Sequence, residues 1–97
     1  MRTLTKVEEF KREAGSALFT KQQAVAITMR LLELEQHDPQ NSEEETALFT
    51  DAIAKVQFRY LDATETETDA MLDSFGVARF TVQDIVGAIE GILFDVQ

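Results

Sequence analysis

The sequence contains no cysteine, no tryptophan, one proline and only four glycines among its 97 residues. Without cysteine, disulfide bonds, thiolate chemistry and cysteine-ligated zinc sites are excluded. The scarcity of proline and glycine leaves few points at which a regular element must end. No apolar run approaches the length of a membrane span, and the first residues lack an apolar signal region. We therefore expect no membrane association and a cytoplasmic location.

Hydrophobic residues make up 44% of the chain and charged residues 28%, which is typical of a globular protein rather than a disordered one. A chain of this length suffices for one domain and is too short for two. It can bury a core without a metal ion or a disulfide to stabilise it. We therefore predict that residues 1–97 form a single helical domain.

Basic residues are scarce and unevenly placed. Nine lysines and arginines face eighteen acidic residues, which gives a formal net charge of -9. Residues 1–30 carry six basic and three acidic residues, whereas residues 31–97 carry three basic and fifteen acidic ones. Direct nucleic-acid binding through the acidic part would be opposed by phosphate repulsion, whereas a basic or nucleic-acid-binding protein partner would be attracted to it. The alternative is that the charge serves solubility alone.

Apolar residues recur at helical spacing along most of the chain, which predicts an all-α fold and no sheet. Capping-box patterns predict helix starts at Thr5, Thr20, Ser42 and Thr81, and Gly76 is a typical helix terminator. The predicted architecture is a single compact bundle of four to five helices, at about 6–14, 21–36, 43–61, 67–75 and 82–95. The second helix is apolar around more than half of its circumference, so we expect it to be central.

A short segment of the chain is repeated. Residues 15–22 recur 61 positions later as residues 76–83, with Gly, Ala, Phe, Thr and Gln matching in place. Both copies read as a glycine stop, a capping threonine and a longer helix. An ancient duplication explains this pattern, and so does convergence on the same capping chemistry. Either origin predicts similar local geometry in the two segments.

No residue pattern indicates catalysis, a metal or a cofactor. The single histidine, His37, lies beside Asp38 at a helix end, but no nucleophile motif accompanies it, so a solvated helix-terminal role is favoured. No carboxylate falls within an apolar stripe, where burial would raise its pKa. Residues 62–73 fail as a calcium loop because Glu67 occupies the position that requires glycine. We therefore predict a protein that is not an enzyme and binds no cofactor.

The third predicted helix carries a second apolar stripe, opposite the one that faces the core. It is made of Ala47, Ala54, Phe58 and Leu61, and it is flanked by the acidic residues Glu43, Glu44, Asp51 and Asp62. Spacings of seven, four and three are those of a helix-to-helix seam. The stripe is either buried within the monomer or exposed as the interface of a homodimer or a partner complex.

Three functional hypotheses follow from these observations. The first is a non-catalytic protein-binding module that acts through this apolar stripe and its acidic flanks. The second is an acidic inhibitor, of the kind that phages and plasmids encode, which presents carboxylates in place of nucleic-acid phosphates. The third is a small carrier or assembly chaperone. The salt dependence of binding distinguishes the first two hypotheses. Binding by a phosphate mimic weakens steeply with ionic strength, whereas binding through an apolar stripe does not.

Overall fold

The structure, a computed structural model of the chain, describes residues 2–58, 71 and 75–94. Within these residues, four helices pack together, which confirms the predicted all-α bundle. In chain order, the elements are α1 (Thr5–Ala14), β1 (Leu18–Phe19), α2 (Lys21–Gln36), α3 (Glu43–Val56), β2 (Phe80–Thr81) and α4 (Val82–Leu93).

Three of the four predicted helix starts are confirmed in detail. In each, the capping hydroxyl accepts a hydrogen bond from the backbone N–H three residues on, and that residue's side chain accepts one from the cap's own N–H. The pairs are Thr20 with Gln23, Ser42 with Glu45 and Thr81 with Asp84. Such a cap contributes about 1 kcal/mol, so these three positions fix where α2, α3 and α4 begin.

The predicted start of the first helix is wrong. Thr5 is the first helical residue rather than the cap, and the cap position is held by Leu4, which makes no side-chain capping bond. The free backbone N–H groups at this end of α1 are satisfied instead by a side chain from α2, described below. At its other end α1 stops at Gly15, whose φ of 57° lies in the left-handed region that glycine tolerates.

The repeated segments meet in space, and there the expectation of no sheet is wrong. Leu18 pairs with Thr81 and Phe19 with Phe80 in a two-stranded antiparallel bridge. Each strand is only two residues long, too short to show an alternating pattern in the sequence. Gly76 precedes β2 with a φ of 65°, as Gly15 precedes β1, so the two copies share their local geometry.

The core lies between α2 and its neighbours. α2 contacts α1, α3 and α4, as expected for a central helix. Its buried residues are Ala24, Thr28, Leu31, Leu32 and Glu35. α4 supplies a continuous apolar stripe, namely Val82, Ile85, Val86, Ile89, Ile92 and Leu93. The resulting core places the outer side of α3 against solvent.

Several predictions fall beyond the described part of the chain. The predicted helix at 67–75 and the end of the third helix, at 59–61, lie outside the described residues, apart from Met71 and Phe75. The last predicted helix ends at Leu93 rather than at 95, with Phe94 as its C-cap. Over residues 2–58, 71 and 75–94, no helix combines the length and the apolar composition that a bilayer crossing requires.

Candidate functional site

α3 presents two different faces, as its sequence pattern predicts. Phe49, Ala52 and Val56 point into the core and are at most 1% exposed. Ala47 and Ala54 are exposed, and Phe58, just beyond the end of α3, is 74% exposed. The second stripe is therefore not covered by the described part of the monomer. We call Ala47, Ala54 and Phe58 the α3 face.

A shallow trough runs along this side of α3. Its lining residues are Asn41, Glu43, Thr46, Ala47, Thr50, Asp51 and Ala54. The hydroxyls of Thr46 and Thr50 donate to the backbone carbonyls of Ser42 and Thr46, at 3.1 and 2.9 Å. Both hydroxyls thus donate within the helix, and Thr50 Oγ1 also accepts a hydrogen bond from Gln36 Nε2 of α2, at 2.8 Å.

Acidic residues border the trough. Glu43 and Glu44 are exposed in the first turn of α3, where the helix dipole favours negative charge. Asp51 pairs with Lys55 on the same helix, with 3.2 Å between Oδ2 and Nζ. The structure thus brings Glu43, Ala47, Asp51 and Ala54 into one trough, while Glu44 is not among its lining residues.

Two members of the predicted site, Leu61 and Asp62, lie outside the described residues. Phe58 continues the stripe beyond the last lining residue of the trough, Ala54. The candidate site in the described chain is therefore the trough together with the α3 face.

A buried carboxylate lies elsewhere, and its presence corrects the expectation that no acidic residue falls within an apolar stripe. Glu35 of α2 is 1% exposed. Its Oε2 accepts hydrogen bonds from the backbone N–H groups of Lys6 and Val7, at 3.1 and 3.3 Å. Glu35 therefore caps the N-terminus of α1 from another helix. Its spacing of four residues from Leu31 and three from Leu32 was the signal available in the sequence.

Arg2 completes this polar cluster. Its Nη1 lies 3.0 Å from Glu35 Oε1 and 3.6 Å from Asp38 Oδ2. Its Nε donates to Asn41 Oδ1 at 2.6 Å, and its guanidinium carbon lies 5.5 Å from the centre of the Phe49 ring. We call these contacts the Arg2 clasp, because they tie the first residues of the chain to the end of α2 and the connection to α3.

The clasp also reaches the start of α3. The Glu45 carboxylate accepts hydrogen bonds from the backbone N–H of Ser42, at 3.0 Å, and from the backbone N–H of Arg2, at 3.1 Å. These two bonds favour the charged form and hold the pKa of Glu45 below its ordinary value of 4.5. The same carboxylate thus caps α3 and anchors the chain's first residues.

The polar groups of the clasp are occupied by structural bonds rather than aimed into a cleft. The Glu35 side chain is shared among two backbone N–H groups and one guanidinium. His37 is the exposed C-cap residue of α2, in the helix-terminal place expected from the sequence. Among the described residues, no group of three or more histidine, aspartate or glutamate side chains is arranged to hold a metal ion.

Comparison of the chain with protein-family models, with curated protein sequences and with solved structures finds no match.

Proposed function

We propose that this protein is a non-catalytic protein-binding module whose α3 face and trough bind an apolar, basic helical segment of a partner protein. The observation that carries the proposal is Phe58, a phenyl ring that is 74% exposed at the end of a stripe of exposed alanines. Burying such a ring contributes about 1.5–3 kcal/mol, which is the scale of a binding anchor.

The shape of the trough supports a helical occupant. Ala47 and Ala54 are seven residues apart, so they lie two turns apart on the same side of α3. Small side chains at this spacing let another helix approach closely, and Phe58 then provides the large side chain that packs into it. A partner segment with apolar residues at helical spacing fits this surface.

The charges support a basic partner. Glu43 and Asp51 border the trough in a chain whose net charge is -9. The ion pair between Asp51 and Lys55 is exposed at both ends, so replacing Lys55 by a partner's cation changes the free energy little. Opposite charges at the rim increase the association rate and fix the orientation of the bound segment.

The test uses a synthetic amphipathic peptide with leucines on one helical face and lysines beside them, titrated by fluorescence anisotropy. The matched variants are Phe58→Asp and Phe75→Asp, because Phe75 is also exposed, at 73%, but lies outside α3. We expect Phe58→Asp to weaken binding about ten- to a hundredfold, from the loss of one buried ring. Phe75→Asp should bind as the unsubstituted protein does.

Each other outcome contradicts the proposal. Equal losses in the two variants would mean that the peptide does not bind at the α3 face. Unfolding of Phe58→Asp would place this ring in the core. Binding that disappears at moderate salt while Phe58→Asp has no effect would favour the phosphate-mimic inhibitor instead. A dimer that dissociates on a sizing column in Phe58→Asp would identify the occupant as a second copy of the chain.

A further inference from the structure

The Arg2 clasp has the composition of an arginine-binding pocket. Each nitrogen of the guanidinium meets an acceptor that α2 or the connection to α3 supplies. Nε donates to Asn41 Oδ1 at 2.6 Å, Nη1 to Glu35 Oε1 at 3.0 Å and Nη2 to the Glu35 backbone carbonyl at 3.0 Å. A further bond, from Nη1 to the Thr3 carbonyl at 2.9 Å, is made within the first residues. Acceptors that match the planar fork, together with the Phe49 ring 5.5 Å away, favour arginine over lysine.

The groups that form this pocket are held in place by bonds that do not involve Arg2. Asn41 Nδ2 donates to the backbone carbonyls of Glu35 and Gln36, at 2.7 and 3.0 Å, which orients the opposite end of the amide toward the guanidinium. The Glu35 carboxylate accepts from two backbone N–H groups of α1, and Phe49 is fully buried in α3. A guanidinium that belongs to another molecule would therefore meet the same acceptors.

The pocket lies beside the trough. Asn41 lines the trough and also accepts the hydrogen bond from Arg2 Nε, so the two sites share this residue. The Arg2 and Asp38 side chains are 14% and 13% exposed, which shows that the pocket opens to solvent. A segment that lies in the trough thus passes the mouth of the pocket at Asn41.

Arg2 occupies the pocket as a tethered ligand. It precedes α1 by three residues, and such a short tether gives a side chain an effective concentration of about millimolar or more. An arginine on a segment already bound in the trough is tethered in the same way, so it competes with Arg2 on similar terms. The exchange keeps a cation beside the buried Glu35 carboxylate, so it avoids the cost of an unpaired buried charge. It moves the Arg2 side chain and retains the bond from the Arg2 backbone N–H to Glu45 Oε2, at 3.1 Å.

We propose that the Arg2 clasp is an arginine-recognition site, which Arg2 fills in the free protein and an arginine of the bound partner segment fills in the complex. This inference rests on the proposed function, because the trough brings the partner segment to the clasp. It goes beyond that function in two ways. It names arginine, rather than lysine, as the cation that the partner carries at the Asn41 end of the trough, and it makes Arg2 an internal competitor for that cation.

The test compares three peptides by fluorescence anisotropy. One is the amphipathic leucine–lysine peptide, and in the other two the lysine nearest one end or the other is replaced by arginine. The variant is Arg2→Lys, which keeps a cation beside Glu35 but lacks the planar fork. One of the two arginine peptides should bind Arg2→Lys about tenfold more tightly than the lysine peptide does. Its preference for the unsubstituted protein should be smaller, because Arg2 competes there.

Two control variants locate the effect in the pocket. Arg12→Lys makes the same change at an exposed position of α1 and should behave as the unsubstituted protein does. Arg2→Met/Glu35→Leu lacks the buried carboxylate and should bind the three peptides equally, and its melting curve shows whether it is folded. In the unsubstituted protein, NMR should show the Arg2 Nε–H signal move when the preferred arginine peptide is added and stay in place with the lysine peptide.

Three results would overturn the inference while leaving the proposed function intact. Neither arginine peptide binds Arg2→Lys more tightly than the lysine peptide does, the preference for arginine persists in Arg2→Met/Glu35→Leu, or the Arg2 Nε–H signal stays in place when the arginine peptide saturates the protein. The proposed function itself fails if the lysine peptide does not bind, or if Phe58→Asp leaves its binding unchanged. This inference then fails with it.

Discussion

Replacing Arg2 by methionine should destabilise the protein strongly, although Arg2 is the second residue of the chain. The substitution leaves the Glu35 carboxylate, which is 1% exposed, with its two backbone donors and no counter-ion. Removing one partner of a buried ion pair costs about 3–5 kcal/mol. Because a domain of this size is stable by about 5–15 kcal/mol, Arg2→Met removes a large share of the total.

The measurement is urea unfolding followed by far-UV circular dichroism. Arg12→Met is the matched control, because Arg12 is exposed on α1, and we expect it to change the stability by less than about 0.5 kcal/mol. Each kcal/mol corresponds to a shift of about 4–8 °C in the melting temperature, so the two variants are distinguishable by heating as well.

A double-mutant cycle separates the two roles of Glu35. Arg2→Met/Glu35→Leu should be more stable than Arg2→Met alone, because no buried charge is left without a partner. It should stay less stable than the unsubstituted protein by about 1 kcal/mol, since leucine cannot accept hydrogen bonds from the Lys6 and Val7 N–H groups. If the double variant loses the sum of the two single losses, or if Arg2→Met costs less than about 1 kcal/mol, the reasoning is refuted.

Three other predictions test smaller features. Because the pKa of Glu45 is lowered in the folded state, its carboxylate stabilises the fold above its ordinary pKa of 4.5, and this contribution is lost as the pH falls below that value. Urea titrations at about pH 5 and about pH 3 should therefore show a smaller loss of stability in Glu45→Gln than in the unsubstituted protein, and equal losses would contradict the assignment. Gly87→Ala and Gly91→Ala should each raise the free energy of unfolding by up to about 1 kcal/mol, because an added Cβ at either position meets no atom within 4 Å, and a lowered urea midpoint would reveal a close contact there. Thr81→Ala should cost about 1 kcal/mol through loss of the α4 cap, and an unchanged melting temperature would show that the cap contributes nothing.

Features of the fold that depend on neighbouring residues could be predicted from the sequence. The caps at Thr20, Ser42 and Thr81 each use a partner three residues on, so a short window contains all the necessary information. The repeat indicated shared local geometry at Gly15 and Gly76, and both have positive φ. It did not indicate that the two copies pair, because that contact joins strands about 60 residues apart and each strand is too short to leave a periodic pattern.

The sequence predicts that the residues of the α3 face lie on one side of a helix, but not that this side is exposed to solvent. Periodicity places Ala47, Ala54 and Phe58 on one side of a helix, and it does so whether a second layer of structure covers that side or not. Whether this stripe is exposed depends on where the other helices pack. In the structure, α2 and α4 contact α3, whose buried residues lie on its other side. The sequence therefore left open whether the stripe is buried, and in the structure Phe58 is 74% exposed.

The start of α1 shows why a local rule can fail even where its pattern is present. Thr5 and Glu8 have the spacing of a capping box, yet α1 begins at Thr5, one residue earlier than that pattern predicts. Glu35 accepts the hydrogen bonds of the backbone N–H groups at this end of the helix. A charged carboxylate accepts stronger hydrogen bonds than a hydroxyl does, and it becomes available only when α2 packs against α1. Burying that carboxylate is costly unless a cation accompanies it, and Arg2, which precedes α1 by three residues, places Nη1 3.0 Å from Glu35 Oε1. The start of α1, the burial of Glu35 and the position of Arg2 therefore depend on one another, and none of them can be inferred from a window of the sequence that contains only one.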